Sequence, residues 1–321
     1  MGALVLILLL IINSGRLGVP ADQLFSAAAS NLSSAPAVKM SASYTQQGTR
    51  YTISWTVPKD GGMTGSVSAR GSTVDLTSVD GKAWVRTDKA YWDNLGRTDA
   101  LAQKVLPGHW VILPATDPLS REIESATSMR SLLQAGHTDL KKGGTQIIAG
   151  KKTVELSDSH GQLYVTTATP NRLVRMVYAP GYTDPSGISG LDAAISYPRG
   201  VDITPPSQYY DTKDPNTLPA MYTVDNAARG QCDQNGCAYT ITVHNHYGQS
   251  GGQATVSVQL TTQDGTSLGS CTAPIPPIGY DQTEDVSCTV QGAAWTDFYN
   301  GGTGTLQWFR QTPVHNPIWD D

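Results

Sequence analysis

Residues 51–87 have the sequence YTISWTVPKDGGMTGSVSARGSTVDLTSVDGKAWVRT, and the alternation within this stretch decides the fold class. From Tyr51 to Val57 every second residue is apolar and the residues between are Thr or Ser, which is the pattern of a strand with one apolar face. Gly-bearing turn signals follow at 60–62, 70–72 and 80–82. Short strands joined by such turns predict an antiparallel meander.

The strand pattern continues on both sides of this stretch. Upstream, apolar residues alternate from Val38 to Tyr44. Downstream, further strands are predicted at 146–148, 152–156, 162–166, 173–178 and 193–197. Together these segments predict one large antiparallel sheet over the first part of the chain.

Three helices are expected to cover this sheet. The first spans Pro20–Ser34 and has one apolar stripe, made by Leu24, Ala28 and Leu32. A short helix is predicted at 98–107, with Thr98 as its cap and Pro107 at its end. A longer helix at 118–135 follows an Asp-Pro start signal.

The second part of the chain is separated from the first by prolines, which recur between Pro198 and Pro219. Such a segment is expected to be extended and stiff. Beyond it, runs at 238–243, 255–260, 268–272, 286–290 and 305–309 predict a small β-sandwich. The predicted organisation is a signal or anchor segment 1–20, a first domain 21–200, a Pro-rich linker 201–219 and a second domain 220–321.

The apolar run ALVLILLLII at residues 3–12 has the length of a signal-peptide core and is short for a membrane span of roughly 20 residues. No Lys or Arg precedes it, so a misassigned start codon with a basic segment upstream is one explanation. An uncleaved anchor, a cleaved signal and a buried N-terminal element are the alternatives. The sequence therefore predicts an extracytoplasmic protein that is either anchored to the cell membrane or secreted.

All 4 cysteines follow the linker, and four cysteines allow three pairings. We expect local pairing, with Cys232 bonded to Cys237 around a turn. Cys271 is expected to bond to Cys288 and to tie two adjacent strands across the proline-rich loop 274–277. A zinc site is disfavoured because the spacing lacks a C-x-x-C pair and thiols outside the cytoplasm tend to oxidise.

No motif in the chain indicates catalysis, a cofactor or a metal. His244 and His246 would share one face of a strand, but no third ligand can be named, so an exposed strand end is favoured. Asp158 and His160 are better explained as a hairpin turn than as a catalytic pair. The charge, with 22 Lys+Arg against 27 Asp+Glu, argues against a nucleic-acid partner. The chain is predicted to be neither an enzyme nor a metal protein.

The order of elements and a few short phrases resemble a known family, the LolA-like lipoprotein carriers. The closer resemblance is to the LprG/LppX-type cell-envelope lipoproteins of actinomycetes. It rests on the first helix, the unbroken meander, DGKAWVRTDKAYWDNLG (80–96), GHWVILP (108–114) and the helix 118–135. Residues 143–178, GGTQIIAGKKTVELSDSHGQLYVTTATPNRLVRMVY, are similar to the last hairpins of the family. One departure is that the lipid-bearing cysteine of the family is absent.

The resemblance implies a mainly β fold of the α+β type, in which an antiparallel half-barrel has its open side plugged by helices. The family uses this hollow to carry acyl chains of lipids or lipoproteins, and no catalytic residues belong to the fold. The implied partners are the membrane, a lipid or acyl ligand and an envelope protein. The alternative is a non-carrier sensor, regulator or interaction protein built on the same scaffold.

The family has no fixed binding motif, so the residues expected to line the hollow are those on the apolar side of each strand. Three more come from the helix 118–135. Plain core packing is the alternative interpretation of the same residues. The predicted lining residues are Met40, Tyr51, Ile53, Trp55, Val67, Val74, Leu76, Ile123, Met129, Leu133, Val154, Leu156, Leu163 and Val165.

The segment YTITVHNHYGQSGGQATVSVQLTTQDGTSLGSC (239–271) is similar to small extracellular Ig-like modules of the FxLYD type. The shared features are Val243 and Asn245, a following strand and an Asp-Gly turn. The resemblance implies an Ig-like β-sandwich that serves as a spacer or interaction module.

Overall fold

The computed structural model describes residues 18–114, 137, 139–248, 253–302 and 306–320. These residues form two compact units. The first contains the described residues up to Tyr91 and those from Leu113 to Ser207, and the second contains Trp92–Ile112 and the residues from Gln208 onward. This division differs from the predicted one, because residues 92–112 lie in the second unit and the boundary falls within the predicted linker. The apolar run 3–12 and the predicted helix 118–135 lie outside the described residues.

The first unit is built on a large open sheet. Its strands lie in the order β5-β4-β3-β2-β1-β11-β10-β9-β8-β7, so the two halves of the meander meet where β1 pairs with β11. Since β5 and β7 are not paired with each other, the sheet is not closed into a barrel. The strands are β1 (Ala37–Gln46), β2 (Thr49–Pro58), β3 (Met63–Ala69), β4 (Ser72–Val79), β5 (Lys82–Thr87), β7 (Lys141–Ile148), β8 (Lys151–Ser157), β9 (Gly161–Thr166), β10 (Leu173–Tyr178) and β11 (Ile188–Ser196). A further short strand, β6 (Trp110–Leu113), lies almost wholly in the second unit.

The first helix, α1 (Ala21–Ser34), confirms the sequence prediction, and it packs against β9 and β10. Its buried residues are Leu24, Ala28 and Leu32, which is the predicted apolar stripe. A second helix, α2 (Lys89–Asn94), was not predicted. Its start is fixed by Asp88, whose Oδ1 accepts a hydrogen bond from the Tyr91 backbone N–H at 2.9 Å.

The short helix predicted at 98–107 spans fewer residues in the structure and has a different cap. It is a single π-helical turn at Leu101–Val105. Asp99, and not Thr98, accepts the hydrogen bond of the Ala102 backbone N–H, at 3.1 Å. None of the helices among the described residues is long and apolar enough to cross a membrane.

The second unit contains two small sheets with a common apolar core. One sheet has the order β12-β13-β16, and in the other β14 lies between β15 and β17 and also pairs with β18. Ile241 and Val243 from the first sheet and Val256 and Val258 from the second are fully buried in the core. The strands are β12 (Tyr222–Asp233), β13 (Gly236–Asn245), β14 (Thr255–Thr261), β15 (Ser267–Pro274), β16 (Gln282–Val290), β17 (Phe309–Gln311) and β18 (Val314–His315).

Two helices complete the second unit, and neither was predicted. The helix α3 (Ala293–Gly301) buries Trp295 in the core. The helix α4 (Pro317–Asp320) is anchored where the Trp319 indole N–H donates a hydrogen bond to the Ala220 carbonyl oxygen at 3.0 Å. The strand predicted at 305–309 is replaced by β17, which begins at Phe309.

Both disulfides lie in the second unit, between Cys232 and Cys237 and between Cys271 and Cys288. The first joins paired residues of the β12–β13 hairpin. The second joins β15 to β16, which are consecutive along the chain but belong to different sheets. The expectation that it ties adjacent strands is therefore wrong, and the bond links the two sheets of the unit.

The latter half of the proline-rich segment is held within the second unit. The Tyr210 backbone N–H donates to the Trp110 carbonyl oxygen at 2.8 Å, and the Ile112 N–H donates to the Tyr210 carbonyl oxygen at 2.9 Å. A second tie is the hydrogen bond from Lys104 Nζ to the Asp320 carbonyl oxygen at 2.9 Å. Residues 92–112 are therefore fastened to the C-terminal part of the chain by backbone and side-chain contacts.

Candidate functional site

One face of the large sheet carries an unbroken lateral row of directly paired residues. Cross-strand partners share a face, so the successive pairs place one side chain from each of nine neighbouring strands in line. Thr87, at the end on β5, is the only polar member of the row. From β8 to β5 the row is Leu156, Leu163, Met176, Ala193, Ala42, Ile53, Val67, Val74 and Thr87.

A second row lies beside the first on the same face. It runs from β11 to β5 through Ile195, Met40, Trp55, Gly65, Leu76 and Val85. No member of either row is ionisable. The two rows together form a continuous apolar surface, which we call the apolar face.

The opposite face of the same strands is mainly polar, and two of its aromatic residues, Trp84 and Tyr164, are buried. Ser41 and Ser54 lie opposite each other with their hydroxyl oxygens 3.4 Å apart, and Ser68 and Thr73 do so at 3.0 Å. Pairs of opposite charge, including Arg86 with Asp75 at 2.8 Å, also lie on the exposed side of the sheet. Burial of one face and exposure of the other explains why the sequence alternates with a period of two.

Small residues lie at the centre of the apolar face. Ala42 and Ala193 are direct partners and are 5% and 0% exposed, with Ile53 and Met176 on either side of them. Ala42 and Ala193 therefore form a low strip at the middle of the sheet, where β1 meets β11, with larger residues on both sides.

Trp55 and Gly65 are fitted to each other. A Cβ at position 65 would lie 2.1 Å from the Ser54 carbonyl oxygen and 2.9 Å from Cδ1 of the Trp55 ring, so only glycine allows this approach. Trp55 Nε1 and Thr87 Oγ1 are both buried, and neither has a hydrogen-bond partner in the described part of the chain. Two polar atoms on an otherwise apolar face therefore have unused hydrogen-bonding capacity.

The structure places all eleven of the predicted lining residues that it describes on the apolar side of their strands. Tyr51 and Val67 are half-buried, and the other nine are buried. Ile123, Met129 and Leu133 lie outside the described residues. The prediction that these side chains contact a ligand remains a proposal.

Sequence reasoning missed the residues at the centre of the face. Ala42, Ala193, Met176 and Ile195 belong to the two rows but were not among the predicted lining residues. The alternation in β1 and β11 would have indicated Ala42 and Ala193, since both lie in period-two segments. Their central position follows only from the pairing of β1 with β11, which joins distant parts of the chain.

The His244–His246 pair is engaged by neighbours within the second unit. The two rings lie 4.3 Å apart, as expected for side chains two residues apart on one strand. His244 Nε2 lies 3.1 Å from Asp281 Oδ1, and His246 Nε2 lies 2.7 Å from the Thr223 hydroxyl. Between them, Asn245 is buried and its side-chain amide donates to the Ile278 carbonyl oxygen at 2.9 Å. The motif thus contributes contacts that hold the second unit together.

Comparison with known proteins finds no matching family model and no matching curated protein. Solved structures that match this chain include LprF from Mycobacterium bovis, at 14% identity over 58% of this chain and 96% of that chain, with a TM-score of 0.41. MucB is similar at 14% identity over 75% of this chain and 80% of that chain, with a TM-score of 0.29. The Pseudomonas aeruginosa MucA/MucB complex is similar at 15% identity over 79% and 93%, with a TM-score of 0.24.

The first unit is one large antiparallel sheet that is not closed into a barrel, with a helix packed on β9 and β10. The two disulfides of the second unit indicate an oxidising compartment.

Proposed function

We propose that this protein binds the acyl chain of a lipid on the apolar face of its large sheet. The observation that carries the proposal is the row of directly paired residues across nine strands, in which eight of nine side chains are apolar. A row of this kind offers a long, uncharged contact surface, which matches the shape and chemistry of an extended hydrocarbon chain.

The low strip formed by Ala42 and Ala193 is the expected position of the chain. An acyl chain is about as wide as one side chain, and small residues leave room for it between Ile53 and Met176. Each buried methylene group contributes about 0.8 kcal/mol, so ten of them contribute about 8 kcal/mol before the costs of association. Hydrocarbon burial is therefore the main favourable contribution expected for binding, and it is offset by the costs of association.

The polar end of the lipid is expected near Trp55. The indole N–H of Trp55 and the hydroxyl of Thr87 are buried without partners in the described part of the chain, and burying such groups unpaired costs free energy. An ester or amide carbonyl oxygen of a lipid would accept a hydrogen bond from either group. The ligand class that satisfies both the apolar row and these donors is an acyl ester.

The protein is proposed to act outside the cytoplasm, at or near the membrane that supplies its ligand. The disulfides favour an oxidising compartment, and the apolar run at 3–12 would direct export. Carriage of a lipid between membranes, rather than its chemical conversion, is the role that an uncharged site supports.

A fluorescent fatty-acid probe tests the proposal in the intact chain after removal of bound lipid. Replacement of Ala42 by Phe fills the low strip and is expected to weaken probe binding at least about tenfold, which corresponds to about 1.4 kcal/mol. The matched control is Ser41→Phe, which places the same ring one residue away on the exposed polar face. Circular dichroism checks that both variants are folded.

The expected result is weak binding by Ala42→Phe and unchanged binding by Ser41→Phe. Equal probe affinity in Ala42→Phe and the unaltered chain would show that the low strip does not hold the acyl chain. Loss of affinity in both variants would instead indicate a binding surface on the polar face.

A second candidate function, the docking of a protein partner, is favoured by the edge strand β7. This strand ends the sheet order, is exposed along almost its whole length and leaves Ile147 76% exposed. An edge strand can pair with an extended segment of another chain through its free backbone groups. Lys141, Lys142 and a register shift before Thr145 limit such pairing to the second half of β7.

Photocrosslinking in cells separates this candidate from the first. A photoreactive residue at position 147 is expected to form one discrete protein adduct, whereas the same residue at Thr73 on the polar face of β4 should form none. Absence of an adduct at 147, or identical adducts at both positions, would remove the support for a docking edge.

A further inference from the structure

A buried carboxylate in the first unit is shared by two imidazoles. Asp158 Oδ2 lies 2.8 Å from His137 Nδ1 and 3.1 Å from His160 Nδ1. The side chains of Asp158 and His137 are 3% and 7% exposed, and that of His160 is 31% exposed. One oxygen and two ring nitrogens therefore converge at a partly accessible point beside the β8–β9 turn.

The turn fixes the orientation of the carboxylate. Asp158 Oδ1 accepts hydrogen bonds from the backbone N–H groups of His160 at 2.8 Å and Gly161 at 3.2 Å. These two bonds occupy Oδ1 and leave Oδ2 directed at the imidazoles. A carboxylate held by backbone donors through one oxygen is oriented to use the other as a ligand.

Aromatic neighbours hold the two imidazoles in place. The ring of Phe25 on α1 meets His137 edge-on at 5.6 Å, and the ring of Tyr182 meets His160 edge-on at 4.9 Å. Tyr178 in turn packs on Tyr182 and donates a hydrogen bond to Asp184 at 3.1 Å. The donor atoms are therefore positioned by three different parts of the first unit, and all of them lie within 4.8 Å of one another.

We propose that His137, Asp158 and His160 bind a divalent transition-metal ion, for which Zn²⁺ is the probe. Two imidazole nitrogens and one carboxylate oxygen form a donor set that Zn²⁺ and related ions favour. Ligands at right angles on an ion with bonds of about 2.1 Å lie about 3.0 Å apart, and a tetrahedral arrangement sets them about 3.4 Å apart. The two distances from Asp158 Oδ2 to the imidazole Nδ1 atoms, 2.8 and 3.1 Å, fit the right-angled arrangement. For the tetrahedral arrangement these atoms need to move apart by only a few tenths of an ångström.

The protonation state of the carboxylate suits this role. Burial opposes ionisation of Asp158, but hydrogen bonds from His160 and His137 outweigh it and hold the pKa of the carboxyl below its ordinary value. The carboxylate is therefore charged at neutral pH. An ion would replace the two Nδ1–Oδ2 hydrogen bonds, with the exposed side of His160 leaving room for water as a further ligand.

Isothermal titration of the intact, chelator-treated chain with Zn²⁺ tests the proposal. One equivalent is expected to bind, and His137→Gln, Asp158→Asn and His160→Gln should each weaken binding at least about tenfold. The matched control is His244→Gln combined with His246→Gln, which removes the other neighbouring histidine pair of the chain. This control should bind Zn²⁺ as the unaltered chain does.

Unchanged affinity in the three site variants would overturn the proposal, as would loss of binding in the His244/His246 control alone. A measurement on the unaltered chain avoids any doubt about variant folding. Zn²⁺ should reduce modification of His160 by diethyl pyrocarbonate, while the exposed residues His109 and His315 react as before. Equal modification of His160 with and without Zn²⁺ would also overturn the proposal.

Discussion

At the residue scale, the apolar face depends on the fit between Trp55 and a residue without a side chain. The Trp55 ring lies so close to the backbone of Gly65 on β3 that a Cβ atom there would clash with it. Residues of this kind are hard to recognise from sequence, because a glycine in a strand more often marks a bulge.

Replacement of Gly65 by Ala is expected to lower the free energy of unfolding by about 1–3 kcal/mol, since the added Cβ would overlap the Ser54 carbonyl oxygen and the Trp55 ring. Urea denaturation measures the change. Gly144→Ala on β7 is the matched control, because a Cβ there meets no atom within 4 Å. Equal effects at the two positions would show that contact with Trp55 is not what requires glycine.

Asp88 provides a pH-dependent contact at the start of α2. Burial alone would raise the pKa of its carboxyl. Hydrogen bonds from the backbone N–H groups of Tyr91 and Thr73 and from the Ser72 hydroxyl outweigh this effect, so the pKa lies below the ordinary value. A depressed pKa means that the stabilisation is present above the ordinary carboxyl pKa of about 3.9 and is lost as the pH falls through the folded value.

The corresponding prediction concerns Asp88→Ala. At pH 7 the substitution is expected to cost about 1 kcal/mol, as loss of a helix cap usually does. The difference in urea midpoint between the two chains should shrink as the pH is lowered towards 2. A difference that stays constant or grows at low pH would contradict this role of the carboxylate.

At the element scale, the sequence predicted strands better than short helices. The strands of the large sheet were found because one face is buried and the other is exposed, which forces a period of two. The helices α2, α3 and α4 were missed because they are short and contain Trp, Tyr and Thr, which also favour strands. Their stability comes from burial, as with Trp295 in the core, and not from local propensity.

The inter-sheet disulfide is expected to stabilise the second unit more than the hairpin disulfide does. The Cys271–Cys288 bond closes 17 residues and the Cys232–Cys237 bond closes 5. Chain entropy gives about 3 and about 2 kcal/mol for loops of these lengths. Urea denaturation of paired Cys→Ser variants under non-reducing conditions measures both effects, and a larger loss from the hairpin bond would contradict this order.

At the scale of the whole molecule, the two units are not consecutive along the chain. Residues 92–112 lie between two stretches of the first unit in the sequence, but they belong to the second unit and contact its residues Tyr210 and Asp320. No local pattern could have indicated this, since Trp110 and Tyr210 are about a hundred residues apart and Lys104 and Asp320 are separated by 216. The sequence therefore predicted the β character of the chain, but not the inclusion of residues 92–112 in the second unit.

This arrangement predicts the outcome of limited trypsin digestion. Arg199 is exposed and lies in a segment without helix or strand, so the first cut is expected after it. The two fragments should then remain associated in gel filtration, because residues 92–112 of one fragment are bonded to residues of the other. Separation of the fragments without denaturant would contradict the assignment of 92–112 to the second unit.

The candidate sites were predictable to different degrees. The apolar strands could be assigned to one face, but the low strip around Ala42 and Ala193 required the pairing of β1 with β11. The His137, Asp158 and His160 cluster was only partly visible in the sequence. Asp158 and His160 are close along the chain, while His137 joins them only through the position of the residues before β7.

Native mass spectrometry of the intact chain, purified from an exporting bacterium, tests the central claim most directly. The account predicts a species heavier than the polypeptide by the mass of one acyl lipid, which organic extraction removes and which Ala42→Phe strongly reduces. Detection of the bare polypeptide mass alone, in preparations that also fail to bind the fatty-acid probe, would contradict lipid binding on the apolar face.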